Sequence, residues 1–199
     1  MKLDLRSIDS KHAYKLLIGS VVPRPIAWVS TINDKGDNNL APYSFFTVAS
    51  RNPPMLCISI SPGIEEREGT IKDTLSNIRS QKQLVINIVP SLLGNEMQKT
   101  AEHVPSKVDE FKAAGLTPAK STIVNPPRVE EAPISIELEL NQILELGSDH
   151  LVIANVVHYH IQDEYYLGDY KVDVEKVGFL ARLAGDYGEI NNIHQLPKL

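Results

Sequence analysis

With one cysteine among 199 residues, this chain has no intramolecular disulfide to staple it. Cys57 lies in the apolar run Met55-Leu56-Cys57-Ile58, where a buried, inert thiol is expected rather than a nucleophile. Long hydrophobic runs are also missing: no stretch approaches the roughly 20 apolar residues that span a bilayer. Residues 1–10 carry Lys2, Asp4, Arg6 and Asp9 where a signal peptide would have its apolar core. A cytoplasmic protein with no membrane partner is the expectation. Basic excess is absent too, with 20 Lys and Arg against 25 Asp and Glu for a net charge of −5. A phosphate-backbone binder usually carries a basic face, so no nucleic-acid partner is expected. Neither a Gly-x-Ser-x-Gly elbow, a Gly-x-Gly-x-x-Gly turn nor a Walker loop occurs. The usual hydrolase, dinucleotide and nucleoside-triphosphate signatures are therefore missing, and any nicotinamide would have to bind without a Rossmann unit.

What the chain has is apolar content of 42% and a length suited to one domain. A helix is expected after Asp9 or Ser10, carrying Tyr14, Leu16, Leu17 and Ile18 and stopped by Gly19. Residues 26–32 read as a strand, 33–38 as a polar turn and 41–49 as the returning strand. Asn52-Pro53-Pro54 breaks the chain before an apolar strand at 55–61, and a polar loop fills 62–69. A short helix follows over 72–78, capped by Asp73 or Thr74, then a strand at 84–89. Residues 90–133 form a helical and loop insertion. Beyond it, Ile134, Ile136, Leu138 and Leu140 alternate with Ser135, Glu137, Glu139 and Asn141, the period of a strand with one wet face. Gly147-Ser148-Asp149-His150 turns into a more buried strand at 151–157. Strands outnumber helices without regular β-helix-β alternation. The expected fold is mainly β, a single domain over 1–199 built as an antiparallel barrel with flanking helices.

Three clusters could carry chemistry. Ser30-Thr31 and Asn39-Leu40-Ala41-Pro42-Tyr43-Ser44 crowd hydroxyls, an amide and an aromatic ring at one junction. Such a patch suits a ligand with a flat apolar body and a phosphate tail. Pro42 removes a backbone donor from a strand, which marks an edge, a bulge or a ligand-facing break. Lys72-Asp73-Thr74 puts a cation and a hydroxyl at a positive helix end, a competent phosphate site in which the Asp73 side chain should turn to capping. His150, beside Asp149, has the titration range of a proton relay. His158 and His160 alternate along one strand face, but the sequence shows no Cys, Asp or Glu cluster to complete a site, so no metal centre is expected.

The run Arg24-Pro25-Ile26-Ala27-Trp28-Val29-Ser30-Thr31, then Asn39 to Phe46, Asn52-Pro53-Pro54, Lys72-Asp73-Thr74 and Asn87 resembles the flavin reductase-like family with the FMN-binding split barrel, especially its flavoredoxin branch. The motifs recur in order over about residues 18–187. The resemblance implies a homodimer with FMN near the subunit interface, its phosphate held by hydroxyls and backbone N–H groups. The positions matching the cofactor site are Ser30, Thr31, Asn39, Leu40, Ala41, Ser44, Ser59, Ile60, Ser61, Lys72 and Thr74, with Trp28 or Tyr43 at a ring edge or in the core. Arg182-Leu183-Ala184-Gly185-Asp186-Tyr187 resembles the family's closing Arg-x-x-Gly-x-Tyr element, which implies a segment reaching toward the flavin. The implied activity is electron transfer from NAD(P)H to flavin or another acceptor, with His150 as the catalytic candidate. A flavoredoxin-type carrier of tightly bound FMN, serving a redox partner protein, is the alternative. This chain reads Gly147-Ser148-Asp149-His150 where family reductases commonly show Gly-Asp-His, and Ala154-Asn155 where they show Gly-Glu. Those changes bear on nucleotide use rather than on flavin binding.

Overall fold

The computed structural model describes residues 1–63, 69–102, 104–105 and 108–197. The loop expected at 62–69 therefore falls largely outside the described residues. Helix α1 (Ser10–Ser20) starts where Asp9 accepts a hydrogen bond from the Lys11 N–H, as expected, and runs one residue past Gly19. Strands β1 (Arg24–Pro25), β2 (Ala27–Ile32), β3 (Asn38–Tyr43), β4 (Phe46–Arg51) and β5 (Pro54–Ile60) follow. Helix α2 (Asp73–Gln81) and strand β6 (Gln83–Ile88) precede the insertion, which contains α3 (Gly94–Lys99), α4 (Glu110–Ala114), β7 (Pro118–Ala119) and β8 (Arg128–Val129). Two 13-residue strands, β9 (Ile134–Leu146) and β10 (Asp149–Ile161), form the longest hairpin. Helix α5 (Val174–Val177) and strands β11 (Leu180–Arg182) and β12 (Tyr187–Glu189) complete the chain. No helix among the described residues is long and apolar enough to cross a membrane.

Seven strands pair in the order β3-β2-β6-β9-β10-β5-β4, every pair antiparallel. The two edge strands, β3 and β4, are consecutive in the chain and joined only by Ser44 and Phe45. That short link forces the sheet to curl until its edges meet at one end, while among the described residues the edges stay unpaired along the rest. The result is the split antiparallel barrel expected from the sequence. The single returning strand expected at 41–49 is two strands, because the chain leaves β2 after Tyr43 and pairs with β5 from Phe46. Pro42 sits on the edge strand β3 opposite Trp28, where its missing N–H costs no ladder bond. The second turn is tighter than expected. It is Gly147-Ser148 alone, with Gly147 at φ 60°, and Asp149 already pairs with Leu146.

Alternation on these strands feeds two cores. Ala27, Val29, Ile58, Ile60, Leu84, Ile86, Ile136 and Leu138 point inward and are closed off by Leu75 and Ile78 of α2. On the outer face, Ile26, Trp28 and Leu40 pack with Met97, Phe111 and Val129 of the insertion. Each fully buried large apolar side chain contributes roughly 1.5–3 kcal/mol. The insertion is therefore the cover that lets β2 be buried on both faces.

The same cover corrects the expectation of a wet face on β9. Ser135 and Glu137 are buried, and only Glu139 and Asn141 of that row reach solvent. Their polar groups are met from the insertion and its neighbours. Ser135 donates to Asn87 Oδ1, which also accepts the Val129 N–H, while Asn87 Nδ2 donates to the Trp28 carbonyl. Glu137 takes the N–H groups of Thr122, Ile123 and Val124. Arg24 is equally structural: buried, it donates to the carbonyls of Ile18 and Val21 at the end of α1 and to that of Leu183 before β12.

Candidate functional site

A groove opens where the edge of β3 faces the start of α2. Asn39, Ala41, Pro42 and Tyr43 of β3, Gly63, and Lys72, Asp73 and Thr74 line it, with Thr100, Ala101, Glu102, Val104 and Glu110 from the insertion; this part holds about 100 Å³. Sharing Pro42, Tyr43 and Ala101, a second lobe of about 470 Å³ extends past Ser44, Gln98, Arg182 and Tyr187. The expected helix cap is displaced by one residue. Lys72 is the N-cap, its backbone extended and its own side chain making no cap hydrogen bond, so Asp73 and Thr74 begin the first turn.

Buried hydroxyls and amides hold the groove's wall in place. Asn39 Nδ2 donates to Thr74 Oγ1 at 2.9 Å and to Thr31 Oγ1 at 3.3 Å, and Asn77 Nδ2 donates to the same Thr31 oxygen at 3.1 Å. Strands β2 and β3 are thereby locked to α2, and the Thr74 hydroxyl stands fixed at the helix start. Lys72 Nζ donates to Ser61 Oγ at 3.3 Å and lies 5.5 Å from the Tyr43 ring centroid. Glu110 Oε2 accepts the Leu40 N–H at 3.2 Å. Burial pushes its carboxyl up, with Asp73 and Asp109 adding to the rise against hydrogen bonds from the backbone N–H groups of Glu110 and Leu40. In the second lobe the Tyr187 hydroxyl donates to Gln98 Oε1 at 2.6 Å, and the Arg182 guanidinium stacks 4.5 Å from the Tyr187 ring centroid.

A cation, a helix N-terminus and a fixed hydroxyl at one end, with the edge of β3 leading to a roomier lobe, make a place for an elongated phosphorylated ligand. Residues 18–176 match the family described as flavin reductase like domain. The chain belongs to that family. Nitrilotriacetate monooxygenase component B from Bacillus cereus is 30% identical to this member, with a TM-score of 0.93 and 98% of each chain covered. Pseudomonas fluorescens 2-nitrobenzoate 2-nitroreductase is 28% identical, with a TM-score of 0.89 over 100% of this chain and 96% of the other. At 20% identity, the flavoredoxin of Desulfovibrio vulgaris (Miyazaki F) shares the fold, with a TM-score of 0.78 over 98% and 97% of the two chains.

The structure gathers part of the residue set expected for this flavin reductase-like protein. Asn39, Ala41, Lys72 and Thr74 line the first lobe, and Ser44 the second. Thr31 supports the wall from behind, and Ser61 contacts Lys72. The others lie elsewhere. Ser30 faces outward and donates to the Pro127 carbonyl, and the Leu40 side chain belongs to the outer core. Ile60 is wholly buried in the inner core, while Ser59 donates to Asp149 Oδ2 at 3.3 Å. His150 pairs with Ile60 on one side and Glu145 on the other, away from the groove's lining. Its Nδ1 is buried with no hydrogen-bond partner among the described residues. Trp28 is a core residue whose Nε1 donates to Thr100, whereas Tyr43 is in the groove. Glu110 and Thr100 enter from the insertion without any motif to mark them. The only signal was an acid beside Phe111 on a helix short enough to be pinned by its apolar face.

Proposed function

We propose that this protein is an FMN-dependent oxidoreductase that takes electrons from NAD(P)H and delivers them to flavin or a further acceptor. The observation that carries the proposal is the groove with Lys72 and Thr74 at the first turn of α2 and the β3 edge beside them, in a chain of the flavin reductase-like family. The donor set fits FMN. Lys72 would neutralise part of the phosphate charge, and the Thr74 hydroxyl, oriented by Asn39, would donate to it. Ala41, Pro42 and Tyr43 would hold the ring system. Bound flavin supplies the two-electron chemistry, accepting hydride and passing electrons on. The protein's part is to anchor, to orient and to exclude water, while the acids Asp73, Glu102 and Glu110 limit how tightly the phosphate is held. His150, half-buried at the start of β10, remains the catalytic candidate.

A homodimer in the cytoplasm and a redox partner protein complete this reading. Exposed Tyr14, Leu17 and Val21 on or next to α1 and Val48 on β4 support a subunit interface. The similar Bacillus cereus protein is one component of a monooxygenase, which supports delivery of electrons to a partner. The position of His150 outside the groove favours the second reading, a flavoredoxin-type carrier with tightly bound FMN and little NAD(P)H oxidation. Gel filtration followed by assay with NADH and NADPH decides between them. Turnover with added FMN is the result expected of the oxidoreductase, and retained flavin with negligible turnover that of the carrier. If added FMN leaves both the melting temperature and flavin fluorescence unchanged, both readings fail.

A further inference from the structure

We propose that Glu137, His158 and His160 form a binding site for one divalent transition metal of the zinc class. The two histidines stand two residues apart on β10, so both imidazoles share one face of the sheet. A bulge in the β9–β10 pairing between Val156 and His158 sets His158 opposite Glu137. The rings of His158 and His160 lie 4.6 Å apart between centroids, and His160 Nε2 is 2.5 Å from Glu137 Oε1. One ligand atom from each of the three residues lies within 4.8 Å of the others. Strand register, which the spacing of residues does not reveal, supplies the acid that the two histidines lacked.

The carboxylate is already oriented. Thr122 N–H donates to Oε1, and the N–H groups of Ile123 and Val124 donate to Oε2, a support of the kind that fixes metal ligands. Two imidazoles and one carboxylate, with no thiolate, suit Zn²⁺, Co²⁺ or Ni²⁺ better than Mg²⁺ or Ca²⁺. A tetrahedral centre spaces its ligand atoms about 3.3 Å apart, so the metal replaces the His160–Glu137 hydrogen bond and displaces the ring by less than about 1 Å. Both histidines are only partly buried, which leaves a path for entry and a fourth position for water. None of the three lines the groove, so the site stands independently of the flavin reading. Because Glu137 carries residues 122–124, metal binding would pin the insertion to the barrel.

The test uses the full chain, stripped with chelator and dialysed, titrated with Zn²⁺ by calorimetry and followed by thermal unfolding without FMN. The expected result is one Zn²⁺ per chain and a higher melting temperature with the metal. His158→Ala, which leaves every hydrogen bond of Glu137 in place, should weaken Zn²⁺ binding by at least about tenfold and abolish the thermal shift. FMN affinity should be unchanged. His158→Gln serves if the alanine variant does not fold. Absence of Zn²⁺ binding, or equal affinity in wild type and the His158 variant, overturns the proposal.

Discussion

Two buried carboxylates on this chain are shifted in opposite directions, and each shift has a physical consequence. Glu137 has no exposed surface, and burial alone would raise it. Hydrogen bonds from Thr122, His160, Val124 and Ile123 outweigh that and lower it from 4.5 to about 2. An acid whose folded pKa lies below its unfolded value adds stability that is complete above about pH 4.5 and lost as pH falls toward 2; the full term is about 3 kcal/mol. Glu137→Gln should therefore lower urea stability at pH 7 by about 2–3 kcal/mol and shrink the gap to wild type as pH approaches 3. A gap that stays constant with pH would contradict this assignment. Glu110 is raised, by burial first, so its ionisation opposes folding and the cost appears as pH rises through the raised value. Glu110→Gln keeps an acceptor for the Leu40 N–H while removing a negative charge from the groove. At pH 8 it should be as stable as wild type or more so, and should bind FMN roughly threefold more tightly by fluorescence titration. Weaker FMN binding would show that Glu110 contributes a contact and not merely charge.

At the scale of elements, the insertion over residues 90–133 and strand β2 depend on each other. Trp28 fills the outer core and donates its Nε1 to Thr100 at 2.8 Å, and Thr100 in turn donates to the Met97 carbonyl. Trp28→Phe keeps most of the packing and leaves the Thr100 hydroxyl without its donor. The expected loss is about 1–2 kcal/mol in urea unfolding. A variant as stable as wild type would mean that packing alone joins the two elements. Much of this architecture was legible in the chain: Asp9 marked the helix start, the run at 26–32 with its polar turn marked one strand and the alternation at 134–140 another, since local chemistry and period act within a few residues. The division at Ser44-Phe45 was not, because residues on both sides favour strand and only pairing partners separate β3 from β4. For the same reason Ser135 and Glu137 looked solvent-facing until the insertion was seen to cover them. In the site, Asn39, Ala41, Lys72 and Thr74 were readable through their motif. The outward turn of Ser30 and the arrival of Glu110 depend on long-range packing that no short motif encodes.

For the whole molecule, one chain builds a curled sheet whose edges are joined by two residues, and leaves Tyr14, Leu17, Val21 and Val48 exposed. If a second copy covers that apolar surface, sedimentation equilibrium will give twice the 22.1 kDa chain mass, whereas a monomer mass across micromolar concentrations would contradict the dimer. Cofactor binding, however, is decided by the groove at the start of α2, if FMN is the ligand. Its most direct measurement is a fluorescence titration of FMN into flavin-free protein, run in parallel on wild type and Lys72→Ala. Saturable binding at one FMN per chain, weakened about tenfold or more in the variant, is the predicted result. No saturation in wild type, or equal affinity in the two proteins, would contradict it.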